Sequence, residues 1–467
     1  MDRLRHALAA SSVVLLLSGC AAFRSYDAEL YPALEQASSG NVDGAIRLLE
    51  SNNRLPDKDL LYFMELGMLQ RLGNRYDESQ KAWMAAEARI EASRGDSFAE
   101  VASLVSNASS FVLNDKMRVY HGHDYERVML LTYMALNHLA RGDYDSARVA
   151  IRQTHEFEAQ VAELRAKQYA QVEEEARKRG ARTSVRELNG YPVETIDNPA
   201  VNALRNSYQS ALSHYLAGFV YEALGEPSLA APGYRLANEL QPGRALLEEG
   251  LSGLDARVAA PDDGMTDVLF IIGSGTAPAI QSRQFALPMW VQGRFLILPH
   301  SFPVISSTSA PAWPRQVMVA GSTLPVEPIT SIDAMARRRL KDDMPAIMLR
   351  ATIRTTTAAV MQYQAQSIGD RQSLATALAA AAVTVGSAAL ASADDRTWRA
   401  LPSDIYIARG RLPRGTHNVT LDTVDGPRSA RVEVAGRYAV VDFRLLRQQV
   451  FVNAPRAPGA SGGGQRP

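Results

Sequence analysis

The chain has 467 residues, with 50 basic and 50 acidic side chains, 46% hydrophobic residues and a single cysteine. This balance offers no electrostatic footprint for nucleic acid or for an anionic membrane surface, and one cysteine excludes a disulfide within the chain. The apolar content is enough for a sizeable core, and the length predicts two domains.

Residues 1–19 form the first element. Arg3 and Arg5 give a charged start, and Leu8 to Leu17 an apolar run of signal-peptide length, too short to span a bilayer as a mature helix. Leu17, Ser18 and Gly19 then lead into Cys20, an arrangement that resembles the lipobox of bacterial lipoproteins. The resemblance implies cleavage before Cys20 and transfer of a diacylglyceryl group to its thiol, with the acyl chains holding the protein to a membrane. Ala21 stands where Asp would resemble an inner-membrane retention signal, so the expected address is the outer membrane, on its periplasmic face. Loss of Arg3, Arg5 and Asp2 with the signal leaves 48 basic and 49 acidic residues, a net charge of −1.

Residues 20–260 are predicted to be helical, because apolar residues recur at helical spacing and Gly or Pro punctuates the segments. Phe63, Leu66 and Gly67 are followed by Trp83 and Ala86; Met134 and Ala135 by Ala147 and Ile151. The fullest copy has His214, Ala217, Gly218 and Tyr221, then Ala230, Tyr234, Ala237 and Pro242. Ala45, Ser79 and Ala147 are separated by 34 and by 68 residues, which fits a 34-residue unit. These segments resemble the tetratricopeptide repeat, in which small residues let two antiparallel helices approach and aromatic residues fill the gaps. The resemblance implies an N-terminal α-solenoid with a concave groove for other proteins. The interval from Ala147 to Ala230 is 83 residues, so an insertion is expected at about 156–190. It carries Glu173, Glu174 and Glu175 four residues ahead of Arg177, Lys178 and Arg179, the pattern of a solvated helix extension. Asn198-Pro199 then reads as an N-cap and first-turn proline that restart the repeat layer.

After a Pro261-Asp262-Asp263-Gly264 hinge, residues 261–453 are predicted as an α+β domain. Strands are expected at 267–272, 295–298 and 317–320, and then at 405–408, 417–422, 431–434 and 438–443. The last four are separated by turn residues that include Asp425-Gly426 and Ala435-Gly436 and read as an antiparallel meander in a small sandwich. Between the groups lie a helix carrying Arg350 and Arg354 and an Ala-rich stretch at 374–393. The stretch is too weakly apolar for a membrane span and reads as a packed helix or hairpin. Residues 454–467, with Gly462, Gly463 and Gly464, read as a disordered tail.

The candidate sites are few. His121, His123 and Asp124 form half of a metal-binding pattern whose other half is missing, so a polar loop with Asp124 capping the next helix is the favoured reading. Gly273-Ser274-Gly275 lacks the following helix of a phosphate loop and the elbow of a serine hydrolase, and reads as a strand-ending turn. Arg350 and Arg354, one helical turn apart, are a possible contact for an anion or a partner, against salt bridging with Asp342 and Asp343. Trp398 near Leu401-Pro402 is expected to anchor the return to the meander. No motif calls for catalysis, a metal or a cofactor.

Leu113 to Lys116, Tyr120-His121-Gly122, Asp124 to Arg127, Ala135-Leu136-Asn137, Asn198-Pro199, Gly275 to Pro278, Ala286-Leu287-Pro288, and Ala393 to Arg396 with Trp398, Leu401 and Pro402 resemble an uncharacterised family of bacterial lipoproteins with tetratricopeptide-like repeats. That family is often encoded near lipoproteins that activate penicillin-binding proteins. The resemblance implies a scaffold in cell-envelope biogenesis, peptidoglycan synthesis included, which meets other envelope proteins through the repeat groove and the membrane through the lipid on Cys20. Two alternatives stand beside it: an envelope hydrolase or small-ligand-binding protein, and an accessory component of an export or surface-polysaccharide assembly machine.

Overall fold

A computed structural model describes residues 25–54, 57–93, 119–181, 183–291, 294–306, 313–369 and 392–455, without the side chains of 286–299 and 354–369. Leu17 to Cys20, Leu113 to Lys116, the Ala-rich stretch up to residue 391 and the tail from residue 456 lie outside the described residues.

The fold is mixed α+β. Among the described residues, its first part contains four helical hairpins. They pair α1 (Tyr26–Ser38) with α2 (Val42–Asn52), and α3 (Leu60–Leu72) with α4 (Tyr76–Ala92). They also pair α5 (Asp124–Leu139) with α6 (Tyr144–Arg179), and α8 (Ala211–Ala223) with α9 (Pro227–Leu240). Ala45, Ser79, Ala147 and Ala230 are each the fourth residue of the second helix in a pair, and all four are fully buried. The residue spacing read from the sequence is therefore the spacing of the second helices. Side-chain caps start several of these helices: Asp59 accepts from the Tyr62 N–H at 2.7 Å, Asp143 from Ser146 at 3.0 Å and Ser210 from Ser213 at 3.3 Å.

Two helix boundaries differ from the sequence reading. Asn198 does cap a helix, accepting from the Val201 N–H at 3.1 Å, but that helix is the short α7 (Pro199–Ala203); the hairpin layer resumes at Ala211. The charged insertion is a continuation of α6, which runs for 36 residues, about 54 Å at 1.5 Å per residue. Its three expected pairs are present: Glu173–Arg177 at 3.1 Å, Glu174–Lys178 at 2.7 Å, and Glu175–Arg179. The arm is solvated on one face only. Val172 and Ala176 pack on Ala346, Leu349 and Ile353 of the 38-residue α12 (Ile332–Gly369). Two short helices, α10 (Ala245–Leu251) and α11 (Leu254–Ala259), close the helical part.

The strands are β1 (Met265–Ser274), β2 (Ile280–Val291), β3 (Arg294–Ile305), β4 (Pro314–Val319), β5 (Ser322–Pro325), β6 (Glu327–Ser331), β7 (Asp404–Pro413), β8 (Gly415–Thr423), β9 (Gly426–Val434), β10 (Tyr438–Leu446) and β11 (Gln449–Asn453). They form a five-stranded sheet in the order β11-β10-β1-β7-β6, a four-stranded sheet in the order β5-β4-β8-β9, and the separate ribbon β2-β3. The expected sandwich is present, but the expected meander is not. β8 and β9 form a hairpin about Asp425-Gly426, whereas β7 and β10 belong to the other sheet, where β10 pairs parallel to β1. The cause lies in the two most apolar strands. β1 and β10 are buried almost without interruption, so each needs cover on both faces and they lie side by side inside the sheet. Val268, Phe270 and Ile272 of β1 face the second sheet, with Val419, Leu421, Val432 and Val434. Leu269 and Ile271 point the other way and join an apolar cluster that continues through Leu130, Leu216 and Phe219 of the helical hairpins. Described residues of both parts of the chain thus share one core.

Candidate functional site

α3 reads Leu-Leu-Tyr-Phe-Met-Glu-Leu-Gly-Met-Leu-Gln-Arg-Leu and is buried on nearly all sides. A carboxylate at Glu65 in such a helix is costly unless hydrogen bonds compensate it. Its partners come from residues about 335 positions away: Oε1 accepts the Arg399 N–H at 2.7 Å and Oε2 the Ala400 N–H at 3.0 Å. Glu126, at the start of α5, is arranged similarly. Oε1 accepts the Trp398 N–H at 2.7 Å and the Thr397 hydroxyl at 3.0 Å, while Oε2 accepts the Tyr120 hydroxyl at 2.5 Å and the His123 N–H at 2.9 Å. Two buried carboxylates therefore grip three successive main-chain N–H groups. A regular strand cannot present these on one side, because its residues alternate in direction; residues 392–398 carry no regular structure and 399–400 form a turn.

This strap, residues 392–403, touches the first helices of three hairpins. From α1, the Tyr26 N–H donates to Asp395 at 3.1 Å and Asp27 accepts from Arg399 Nε at 2.6 Å. From α3 and α5 come the two glutamates. Trp398, fully buried, lies edge-on to Trp83 with ring centroids 6.1 Å apart and to Tyr133 at 6.5 Å. From the sequence, Trp398 is expected to anchor the return to the β meander; its ring packs instead on the helical hairpins. On the far side, Arg444 of β10 donates to the Ala400 carbonyl at 3.2 Å, and the Ser403 N–H donates to the Ser274 carbonyl at 2.9 Å. Ser274 thus ends a strand, as its sequence context suggests.

Burial governs the titration of this site. It pushes the Glu65 carboxyl up to about 8, against the opposing pull of the Arg399 and Ala400 N–H donors. Burial also raises Glu126 and Asp442, and it lowers Arg444 to about 10. Arg71 of α3 ties this layer to the sheet, donating to Asn137 at 2.5 Å and to Asp442 of β10 at 2.9 Å.

His123, and not Asp124, is the N-cap of α5, with Glu126 reaching back to its N–H; Asp124 is the first helical residue and pairs with Arg165 at 2.6 Å. Burial, then the Arg339 charge, lowers the His123 imidazole well below its ordinary range, so the ring is neutral at pH 7. No group of three or more metal-ligating side chains occurs among the described residues. Arg337, Arg338 and Arg339 are engaged by Asp333, Asp342 and Asp343, the last two at 3.0 and 2.8 Å. Burial pushes the Asp343 carboxyl up, but Arg165, Arg339 and then Arg350 outweigh it and hold the group below the usual range, while the side chain of Arg354 is outside the described residues. Cys20 and its flanking Leu17, Ser18 and Gly19 also lie outside them. Sequence reasoning missed Glu65, Glu126, Arg71 and Arg444. The available signal was charge set among apolar residues, as Glu65 and Arg71 are in α3.

No family model matches this chain, and no curated protein matches it. Among solved structures, a tetratricopeptide repeat protein from Parabacteroides merdae is similar at 12% identity over 50% of this chain and 99% of its own, with a TM-score of 0.14, too low to assign a fold.

Proposed function

We propose that this protein is a periplasm-facing lipoprotein of the outer membrane, tethered through Cys20, that acts as a protein-binding scaffold in envelope biogenesis. The anchor is supported by the lipobox at Leu17 to Cys20. The tetratricopeptide-like α-solenoid is supported by the 34-residue spacing and by the glycine-to-aromatic approach of Gly67 to Trp83 and of Gly218 to Tyr234. One observation carries the binding role: α3 and α5 already hold an irregular peptide segment through its main chain, with α1 adding contacts to its Asp395 and Arg399 side chains, the mode by which stacked helical hairpins take partner segments. A tether confines the search to the periplasmic layer and raises local concentration without tight affinity.

The test is photo-cross-linking in living cells from Met84 and Val149, exposed apolar positions on α4 and α6. One envelope protein captured from both positions, and lost with Cys20→Ala, is the expected result. No specific product from either position counts against the scaffold.

A further inference from the structure

The expected groove of the helical layer is filled by the chain itself, and the manner of filling is that of a ligand. Recognition of the strap runs mainly through main-chain N–H groups of residues 398–400, taken by Glu65 and Glu126. These contacts are indifferent to side-chain identity. Side chains add selectivity: Trp398 between Trp83 and Tyr133, Thr397 on Glu126 and Tyr125, Asp395 on the Tyr26 N–H, Arg399 on Asp27, and Arg396, whose guanidinium lies 5.1 Å from the Tyr120 ring. The fit is incomplete. The Trp398 indole N–H and Arg399 Nη1 are buried with no hydrogen-bond partner among the described residues, which weakens the strap's hold. The strap is tied to the strands by Arg444, which donates to the Ala400 carbonyl at 3.2 Å, and by the Ser282 hydroxyl, which accepts the Ala393 N–H at 2.9 Å; neither bond belongs to the β1–β7 ladder, so the strap can leave without unzipping the sheet.

We propose that residues 392–400 are a resident ligand of this face, displaced by an extended segment of a partner protein that carries a tryptophan with one arginine two residues before it and another directly after. This rests on the reading of the helical layer as a peptide-binding surface, and it names the chemistry of the segment that surface takes.

The experiment uses the full chain and a fluorescent synthetic peptide of residues 392–403. The Trp398→Ala chain, whose own strap competes poorly, is expected to bind the peptide at least tenfold more tightly than the wild-type chain does, and a peptide with its tryptophan replaced by alanine is expected to bind neither. Equal binding by both chains, or no binding by a Trp398→Ala chain with wild-type far-ultraviolet circular dichroism, overturns the proposal. Hydrogen exchange on the wild-type chain decides the matter if the variant does not fold. Amides of Trp398, Arg399 and Ala400 are expected to exchange at least tenfold faster than those of Val268 to Ile272 in β1; exchange in step with β1 makes the strap a fixed part of the core and ends the proposal. Either failure leaves intact the cellular cross-links from Met84 and Val149, which report on the scaffold role separately.

Discussion

Gly67→Ala tests the packing that holds both the helical layer and the strap. In an isolated helix this change stabilises by about 1 kcal/mol, because alanine loses less backbone entropy than glycine. Here a Cβ at Gly67 would lie 2.7 Å from Trp83 Cε2 and closer still to Nε1 and Cδ1. The indole has little room to retreat: Trp83 is fully buried, donates to the Met64 carbonyl at 3.1 Å, and meets Trp398 on another side. Overpacking of this kind costs about 1–3 kcal/mol, and detaching a buried indole N–H costs about 1–3 kcal/mol more. After subtraction of the propensity gain, a net loss of about 1–5 kcal/mol is expected. Urea unfolding followed by circular dichroism should show a lower midpoint at an unchanged m-value, with tryptophan fluorescence of the folded state altered because Trp83 and Trp398 are in contact. A midpoint equal to or above wild type would refute the close approach of α3 and α4, since the sign of the change separates propensity from collision.

Other outcomes follow from the same structure and sequence. Cys20→Ala should move the protein from the membrane to the soluble fraction, since each buried lipid methylene contributes about 0.8 kcal/mol to attachment; an unchanged membrane pool contradicts the lipobox. Glu65 has its carboxyl raised from the ordinary 4.5 to about 8, so between these values the folded state binds more protons than the unfolded one and stability falls as pH rises. Glu65→Gln should flatten that dependence, which is at most about 1.4 kcal/mol per pH unit; parallel urea midpoints for the two proteins from pH 5 to pH 8 would remove Glu65 as its source. Leu349→Ala should cost about 2–5 kcal/mol and speed hydrogen exchange in the arm of α6 around Val172, because Leu349 is buried against it. Glu173→Ala, at an exposed pair, should change stability by only about 0.2–0.5 kcal/mol; equal effects of the two would show that the arm does not pack on α12.

What was legible in the sequence was local. The spacing of Ala45, Ser79 and Ala147 located three of the second helices, and the glutamates at 173–175 found their partners one turn on, because both signals depend only on helical periodicity. The Asp425-Gly426 turn placed the β8-β9 hairpin because a turn signal is likewise local. Sheet order was not legible. Asp267 aligns with Tyr438 in a parallel pair, a partnership that no local pattern encodes, although the apolar runs Val268 to Ile272 and Tyr438 to Val441 were a hint that both strands are internal. The strap was hidden for a further reason: it has no periodicity, and it is recognised through its main chain. Only the charges placed against apolar surroundings, Glu65 and Arg71 in α3 and Glu126 in α5, pointed to a distant partner.

The most direct measurement of the strap's seat on the helical hairpins is intramolecular photo-cross-linking from Tyr26. Its N–H meets Asp395, and its hydroxyl lies 3.4 Å from Glu65, which grips Arg399 and Ala400. With p-benzoylphenylalanine in place of Tyr26, irradiation of the purified protein and mass-spectrometric mapping should yield links into residues 392–400. Links confined to the neighbouring helices, with none to the strap, would contradict the arrangement.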